Sequence, residues 1–308
     1  MHLVRPVGLL CRLLVVTLGT TGATAMPESP PPLKCVTFNL LHGGAFSGLV
    51  GNAQDLDQRL EMVVEDFRAL EADILGLQEA SVSRQRGNVA ARLAAQLGFH
   101  YVYAPAGFRL FASEKLNTVL GWVMNLTEGP AIVSRFPIVA WEAHDLPRCG
   151  RLTDSRVLLC AELQTPWGRL QACSTHISGD PCQAEGVVQV LRTRSNSLPL
   201  LLMGDFNATE QSPAMTLLMH EAGLIDTFRV ANPSVPGFTV WQWVYASRPT
   251  VFRRVDYLLL RPRNNGGGRI LSSHLVLNTP RRLSDGRTLW PSDHYGVLTE
   301  VEVFPPAG

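Results

Sequence analysis

Asp205 and Asn207 stand two residues apart in Gly204-Asp205-Phe206-Asn207, directly after the apolar residues Leu198, Leu200, Leu201, Leu202 and Met203. A run of that length reads as a strand covered on both faces. Its end would then hold two oxygen-bearing side chains rigidly on one side, an arrangement suited to a metal or a phosphate. Gly, Asp and Asn also form turns, so the tetrad alone does not choose. Other polar residues fall at the ends of apolar segments: Asn39, Glu79 in Leu77-Gln78-Glu79, His176, Asp256, and Asp293-His294 in Pro291-Ser292-Asp293-His294-Tyr295-Gly296-Val297. Each by itself could be a cap or a turn. Together they form a coherent set, because Asn, Glu and Asp oxygens suit a hard divalent cation such as Mg²⁺, while two His and an Asn suit a phosphoryl group.

The elements that must position these residues follow from periodicity. Lys34 to Leu40 reads as a strand that delivers Asn39. Asp57 to Leu70 puts Leu60, Val63, Val64, Phe67 and Leu70 on one helical face, with Asp57 as the expected N-cap. The strand Ile74 to Leu77 ends in Gln78-Glu79, Asn88 to Leu97 reads as a second amphipathic helix, and Phe99 to Tyr103 as a strand. Further strands are expected at Pro130 to Val133, Val157 to Leu163 and Leu170 to Thr175, the last two joined by Pro166-Trp167-Gly168. Pro213 to Ala222 reads as a helix, and Val255 to Leu260 and Tyr295 to Val303 as strands. The pattern is layered α/β, with loops at one edge carrying the chemistry. No repeat or linker divides residues 34–303.

A chain of 308 residues, 46% apolar and 17% charged, can bury a sizeable core. Its first 25 residues are different in kind. His2, Arg5 and Arg12 flank the apolar run Leu13 to Leu18, and Ala23-Thr24-Ala25 offers a small-x-small cleavage site. The run is far shorter than the roughly 20 residues of a spanning helix. The expected organisation is a signal peptide at 1–25, a Pro-rich linker at 26–33, one domain at 34–303 and a tail at 304–308. The mature chain would be secreted or periplasmic. Loss of two arginines leaves it slightly acidic, which excludes bulk electrostatic binding of nucleic acid. Arginines nevertheless cluster, Arg148 with Arg151 and Arg156, Arg253 with Arg254, and Arg281 with Arg282. Arg suits bidentate phosphate contact, so Arg148 and Arg254 are candidates for substrate binding, against a background of solvated surface arginines. Export implies an oxidising compartment, and Cys35, Cys149, Cys160, Cys173 and Cys182 are odd in number. Cys35 reads as a buried free thiol, and the loop residues Cys149 and Cys182 as the best disulfide pair. The spacings do not suit zinc.

The motifs Thr37-Phe38-Asn39, Leu77-Gln78-Glu79, GPAIVSRFP at 129–137, Ser174-Thr175-His176, Gly204-Asp205-Phe206-Asn207, Arg254-Val255-Asp256-Tyr257 and Ser292-Asp293-His294 occur in one order over residues 34–303. In that order they resemble the endonuclease/exonuclease/phosphatase superfamily, which includes DNase I-like nucleases, AP endonucleases, neutral sphingomyelinases and inositol polyphosphate 5-phosphatases. The resemblance implies an α/β fold, a four-layer α-β-β-α sandwich with two packed, mostly antiparallel sheets and the active site at one end. It implies Glu79 as the principal Mg²⁺ ligand, with Asn39 and Asp293 nearby and Mn²⁺ as a substitute. His294 would be the acid/base group oriented by Asp256, Asp205 would position or deprotonate the attacking water, and His176 and Asn207 would hold the non-bridging oxygens. Two positions depart from known branches. Leu41 stands where AP endonucleases carry a further metal-site carboxylate, and Thr127 where those enzymes have Tyr and DNase I-like enzymes Arg. Both departures weigh against a DNA-specific assignment.

The expected activity is that of an exported Mg²⁺-dependent phosphoesterase acting on a phosphodiester or phosphomonoester. A secreted nuclease and a sphingomyelinase-like lipid phosphodiesterase are the alternatives, so the partner is a phosphoester, with nucleic acid and lipid headgroups both open. A non-catalytic phosphate-binding module is a different class, and the intact set Glu79, His176, Asp205, Asn207, Asp256 and His294 argues against it. No obligate protein partner is evident and a monomer is expected. Residues 107–127 are unusually apolar for an excursion near a catalytic edge, with Leu116, Val119, Leu120 and Val123 at helical spacing beside Phe108, Phe111 and Trp122. Packing onto the domain is the expectation here, with a hydrophobic lid for a lipid substrate as the alternative. Asn-x-Thr sequons occur at Asn125 and Asn207; a glycan on the second would obstruct the pocket, which favours bacterial export.

Overall fold

A computed structural model describes residues 31–42, 53–107, 111, 113–124, 127–150, 155–264 and 268–303. The expected signal peptide, most of the linker, the tail, Phe108, Asn125 and Arg151 lie outside them. In chain order the elements are β1 (Leu33–Asn39), α1 (Leu56–Leu70), β2 (Ile74–Ser83), β3 (Gly87–Asn88), α2 (Val89–Leu97), β4 (His100–Tyr103), α3 (Glu114–Met124), β5 (Thr127–Ser134), β6 (Ile138–Asp145), β7 (Val157–Thr165), β8 (Gly168–His176), α4 (Pro181–Thr193), β9 (Leu200–Asp205), α5 (Pro213–Glu221), β10 (Ile225–Asp226), α6 (Thr227–Ala231), β11 (Asp256–Arg261), β12 (Arg269–Val276), β13 (Arg281–Arg282), β14 (Thr288–Leu289) and β15 (Gly296–Glu302).

Two sheets carry the site. The first orders its strands β12-β15-β1-β2-β5-β4, with β3 on β2, and the second β10-β11-β9-β8-β7-β6. Within them only β1–β2 and β8–β9 pair in parallel; the other pairings are antiparallel. The apolar residues sort into three cores that separate four layers. Phe38, Leu75, Leu77 and Val133 of the first sheet meet Leu60, Val63 and Phe67 of α1 and Leu93 of α2. Cys35, Ile74 and Ile132 meet Leu159, Leu201, Met203, Leu258 and Leu260 between the sheets. Leu200, Leu202, Tyr257 and Leu259 meet Val187 and Leu191 of α4 and Met215 and Leu218 of α5. Successive residues of a strand point to opposite faces, so Leu200 and Leu202 face the helices while Leu201 and Met203 face the other sheet. That explains why the run before Asp205 is apolar without alternation. The sheets approach closely at Gly76, where an added Cβ would lie 2.4 Å from Cβ of Met203.

The sequence reading differs from the structure at several points. Asp57 does not cap α1: it lies in the first helical turn, and its Oδ1 pairs with Nε of Arg86 at 3.1 Å. Asn88 is the cap of α2, accepting from the Ala91 N–H at 3.1 Å. Strands β6 and β12 and helix α4 were not anticipated. Most of β6 is exposed, so it carries no apolar alternation to read. In α4, Asp180 caps the N-terminus by accepting from Cys182 N–H at 2.9 Å, with Pro181 in the first turn. Cys149 and Cys182 are disulfide-bonded, tying the loop after β6 to α4. A second disulfide joins Cys160 to Cys173, directly opposed residues of β7 and β8. Cys35 is a buried free thiol whose pKa burial pushes well up, with Asp73 adding to the shift. Helix α3 does not bury its apolar stripe, for Leu116, Val119 and Val123 are each about half exposed, at 52%, 56% and 49%. The expectation that this segment packs onto the domain is therefore wrong for that face.

Candidate active site

Strand direction brings the polar residues to one end of the sandwich. Asn39 closes β1, and its parallel neighbour β2 brings Gln78 and Glu79 to the same level. His176 closes β8 and stands opposite Asp205, the last residue of the parallel β9. Strand β11 runs antiparallel to β9, so its first residue, Asp256, also lies at this end, paired with Asp205. Strand β15 runs antiparallel to β1, and His294 just precedes it. Glu79 is turned by a bulge. The pairing of β2 with β5 jumps from Leu77–Ala131 to Ala80–Gly129, and Glu79 takes a left-handed φ of 52°. A bulge re-aims a side chain in this way.

Asp205 is the hub. Its Oδ2 accepts from Asn39 Nδ2 at 3.1 Å and lies 3.4 Å from His176 Nε2 and 3.6 Å from His294 Nε2, while Oδ1 accepts from the Asn207 N–H at 2.9 Å. His294 Nδ1 meets Asp256 Oδ2 at 2.9 Å, a contact that fixes the ring with Nε2 toward Asp205. Asn207 Nδ2 donates to the Ile177 carbonyl at 2.8 Å and lies 3.0 Å from His176 Nε2. Asn39 Nδ2 also donates to Glu79 Oε1 at 3.1 Å, which links the two halves of the site.

The charges follow from burial and proximity. Burial and the neighbouring Asp256 push the Asp205 carboxyl up to about 7. Burial alone would lower His294, but Asp256 and Asp205 together carry it well above the ordinary imidazole value. Burial lowers His176 well below that value, with Arg156 and His294 adding to the effect. One histidine is thus held charged and the other neutral. Glu79 is raised by burial and then by repulsion from Glu128, with Asp293 contributing further. Glu79 stands in a group of His and carboxylate donors that lie within 4.8 Å of one another, a donor set that suits a divalent cation. Asn39 presents its amide nitrogen to Glu79 and Asp205, and its Oδ1 accepts from the Leu41 N–H at 3.0 Å. In this arrangement its amide nitrogen bridges the two carboxylates while Oδ1 keeps a second lone pair.

Several supporting residues were not singled out from sequence. Arg59 is fully buried and donates to the carbonyls of Leu40, Leu41 and Pro291 at 2.8, 2.7 and 3.2 Å, clamping the loops that carry Asn39 and Asp293. Ser292 Oγ donates to the Asn39 carbonyl at 2.7 Å. Thr239 Oγ1 accepts from the Asp256 N–H at 3.3 Å, and Val240 bridges to His294. A buried arginine in an amphipathic helix is the one sequence signal that could have exposed this clamp. Arg254, expected to bind substrate, is instead buried. Its guanidinium pairs with Asp226 at 2.5 Å and Glu210 at 3.1 Å and lies over the Tyr257 ring. Arg148 is exposed in the loop after β6, and among the described residues no hydrogen bond ties it to the catalytic groups.

A four-layer sandwich with paired His and carboxylate groups at one end of its sheets is the DNase I-like architecture. The sequence profile of the Endonuclease/Exonuclease/phosphatase family matches residues 36–294, and the chain belongs to that family. Solved structures agree in fold. The human Nocturnin catalytic domain with bound sulfate anion is 20% identical, with 90% of this chain and 94% of that one covered and a TM-score of 0.64. A mannosyl-6-phosphatase of Bacteroides thetaiotaomicron is 17% identical, covering 87% and 99%, with a TM-score of 0.65. TDP2 of D. rerio complexed with single strand DNA product is 16% identical, covering 88% and 98%, with a TM-score of 0.60. No curated protein matches the chain.

Proposed function

We propose that the protein is an exported, Mg²⁺-dependent phosphodiesterase. The observation that carries this reading is His294 held between Asp256 and Asp205, because a phosphate-binding module has no use for an oriented, charged imidazole beside a carboxyl raised to about 7. Glu79 and Asp293 would hold the cation, which when bound would offset charge on the phosphoryl oxygens. Beside the charged His294, Asp205 in its ionised form takes the proton of the attacking water as that oxygen bonds to phosphorus, and the ester P–O bond breaks with the leaving oxygen taking up a proton from solvent. Asp256 keeps the ring aligned through that step. His176, neutral and turned toward Asn207, and the Asn207 amide lie where they can reach the non-bridging oxygens. Arg156 adds positive charge near His176. The N-terminal charge and apolar pattern support export.

Turnover of bis-p-nitrophenyl phosphate with Mg²⁺ and with a chelator tests the reading. Activity that the chelator abolishes and Mg²⁺ restores is expected. Undiminished turnover in chelator would overturn the metal, and no turnover on this ester, plasmid DNA, sphingomyelin or inositol phosphates would overturn the enzyme. N-terminal sequencing of the mature protein tests export, with a start at Met26 expected.

A second reading, that the ester belongs to a lipid, is favoured by α3. This helix rises between β4 and β5, where Ala106 bridges to Glu128, and Glu128 in turn lies beside Glu79. Its exposed Leu116, Val119 and Val123 stand at the spacing of one helical face.

A further inference from the structure

Three residues, His42, Glu79 and Glu128, bring potential metal donors together. His42 follows β1, Glu79 sits at the bulge of β2, and Glu128 lies in β5, so three segments converge. His42 Nε2 is 2.9 Å from Glu128 Oε2 and 3.5 Å from Glu79 Oε2, and one ligand atom from each residue falls within 4.8 Å of the others. The backbone adds to the placement, for the His42 N–H donates to Glu79 Oε2 at 3.2 Å. Their side chains are largely covered, with 12%, 17% and 32% exposed for His42, Glu79 and Glu128.

We infer that His42 and Glu128 are ligands of the same cation as Glu79, giving this site an imidazole nitrogen beside its carboxylates. The inference rests on the reading of Glu79 as a metal residue and extends it. An all-oxygen set favours Mg²⁺, whereas an imidazole shifts preference toward Mn²⁺ and other first-row transition metals. Leu41 supplies no carboxylate at the end of β1, and His42 is the next residue able to donate from that loop. The competing account is a protonated His42 that bridges two carboxylates and leaves the metal alone. The two accounts differ in what happens to metal affinity when the ring is removed.

The test is Mn²⁺ and Mg²⁺ binding by the whole protein, without substrate. Binding is read by calorimetry and by electron paramagnetic resonance of Mn²⁺, including the modulation that a directly bound imidazole nitrogen imposes. His42→Gln should weaken Mn²⁺ binding by about tenfold or more while changing Mg²⁺ binding far less, and should remove the nitrogen modulation. Glu128→Gln, which keeps the side-chain shape, should weaken both metals. Glu79→Gln is the control. If Glu79→Gln weakens binding but His42→Gln leaves affinity and modulation intact, His42 is no ligand and the inference fails while the metal site stands. If Glu79→Gln changes nothing, the metal reading of Glu79 fails with it. Thermal unfolding of each variant in chelator, expected near wild type for Glu128→Gln, separates loss of a ligand from loss of the fold.

Discussion

Asp205 and Asp256 are directly opposed residues of β9 and β11, the last of one strand facing the first of the other, and His294 reaches both. Two carboxylates brought so close and buried resist carrying full charge together, and the imidazolium between them is what makes the pair tenable.

That relationship fixes a pH dependence. Asp205 holds its proton up to about 7 in the fold, whereas an unfolded Asp releases it near 3.9. The native state therefore binds more protons over that interval, so this group's contribution to stability is present at low pH and is lost as pH rises toward 7. Removing the carboxylate removes the dependence. In chelator, the melting temperature of Asp205→Asn relative to wild type should be more favourable at pH 8 than at pH 5, by several degrees. A difference that is flat with pH would show that Asp205 titrates normally. The same variant should be nearly inactive.

Asp256 acts through the ring it orients. Asp256→Asn should lower kcat by about tenfold or more with little change in KM, and His294→Ala should cost at least about 10²-fold. The double variant should be only slightly worse than His294→Ala, because the carboxylate has little left to align. Losses that simply multiply would show that the two act independently.

Arg254 is expected to govern stability and not substrate affinity. Arg254→Met would strand Asp226, which accepts from it in a buried pair, and should destabilise the fold by about 3 kcal/mol. KM measured on the folded fraction should stay within about twofold of wild type. A raised KM with an unchanged melting temperature would restore Arg254 to the substrate site.

Helix α3 discriminates between soluble and interfacial substrates. Replacing Leu116 and Val119 with Ser should reduce hydrolysis of a phosphodiester lipid in vesicles by several-fold and leave a soluble diester untouched. Equal activity of variant and wild type on vesicles would remove the lipid reading.

Much of the site was legible because strand ends announce themselves. An apolar run that stops at Asp205, or at Glu79, requires only local chemistry to read, and the spacing of Asp205 and Asn207 survives folding unchanged. The supports were not legible because they are made by distance in sequence. Arg59 reaches Pro291 across 232 positions and Arg254 pairs with Asp226 across 28, and no window of the sequence shows such partners. Arg254 misled for that reason: its type suggested phosphate, and its burial decides otherwise. Cys160 and Cys173 were missed as a pair because only the antiparallel register of β7 and β8 sets them opposite each other.

The placement of β1 between β2 and β15 has a consequence for how the protein comes into being. A growing chain that has emerged as far as residue 250 already contains Glu79, His176 and Asp205, yet it lacks Asp256, His294 and the strand that flanks β1. Ser292, whose hydroxyl fastens the Asn39 carbonyl, is equally absent. The pair of His294 and Asp256 is therefore assembled last, when β15 closes on β1.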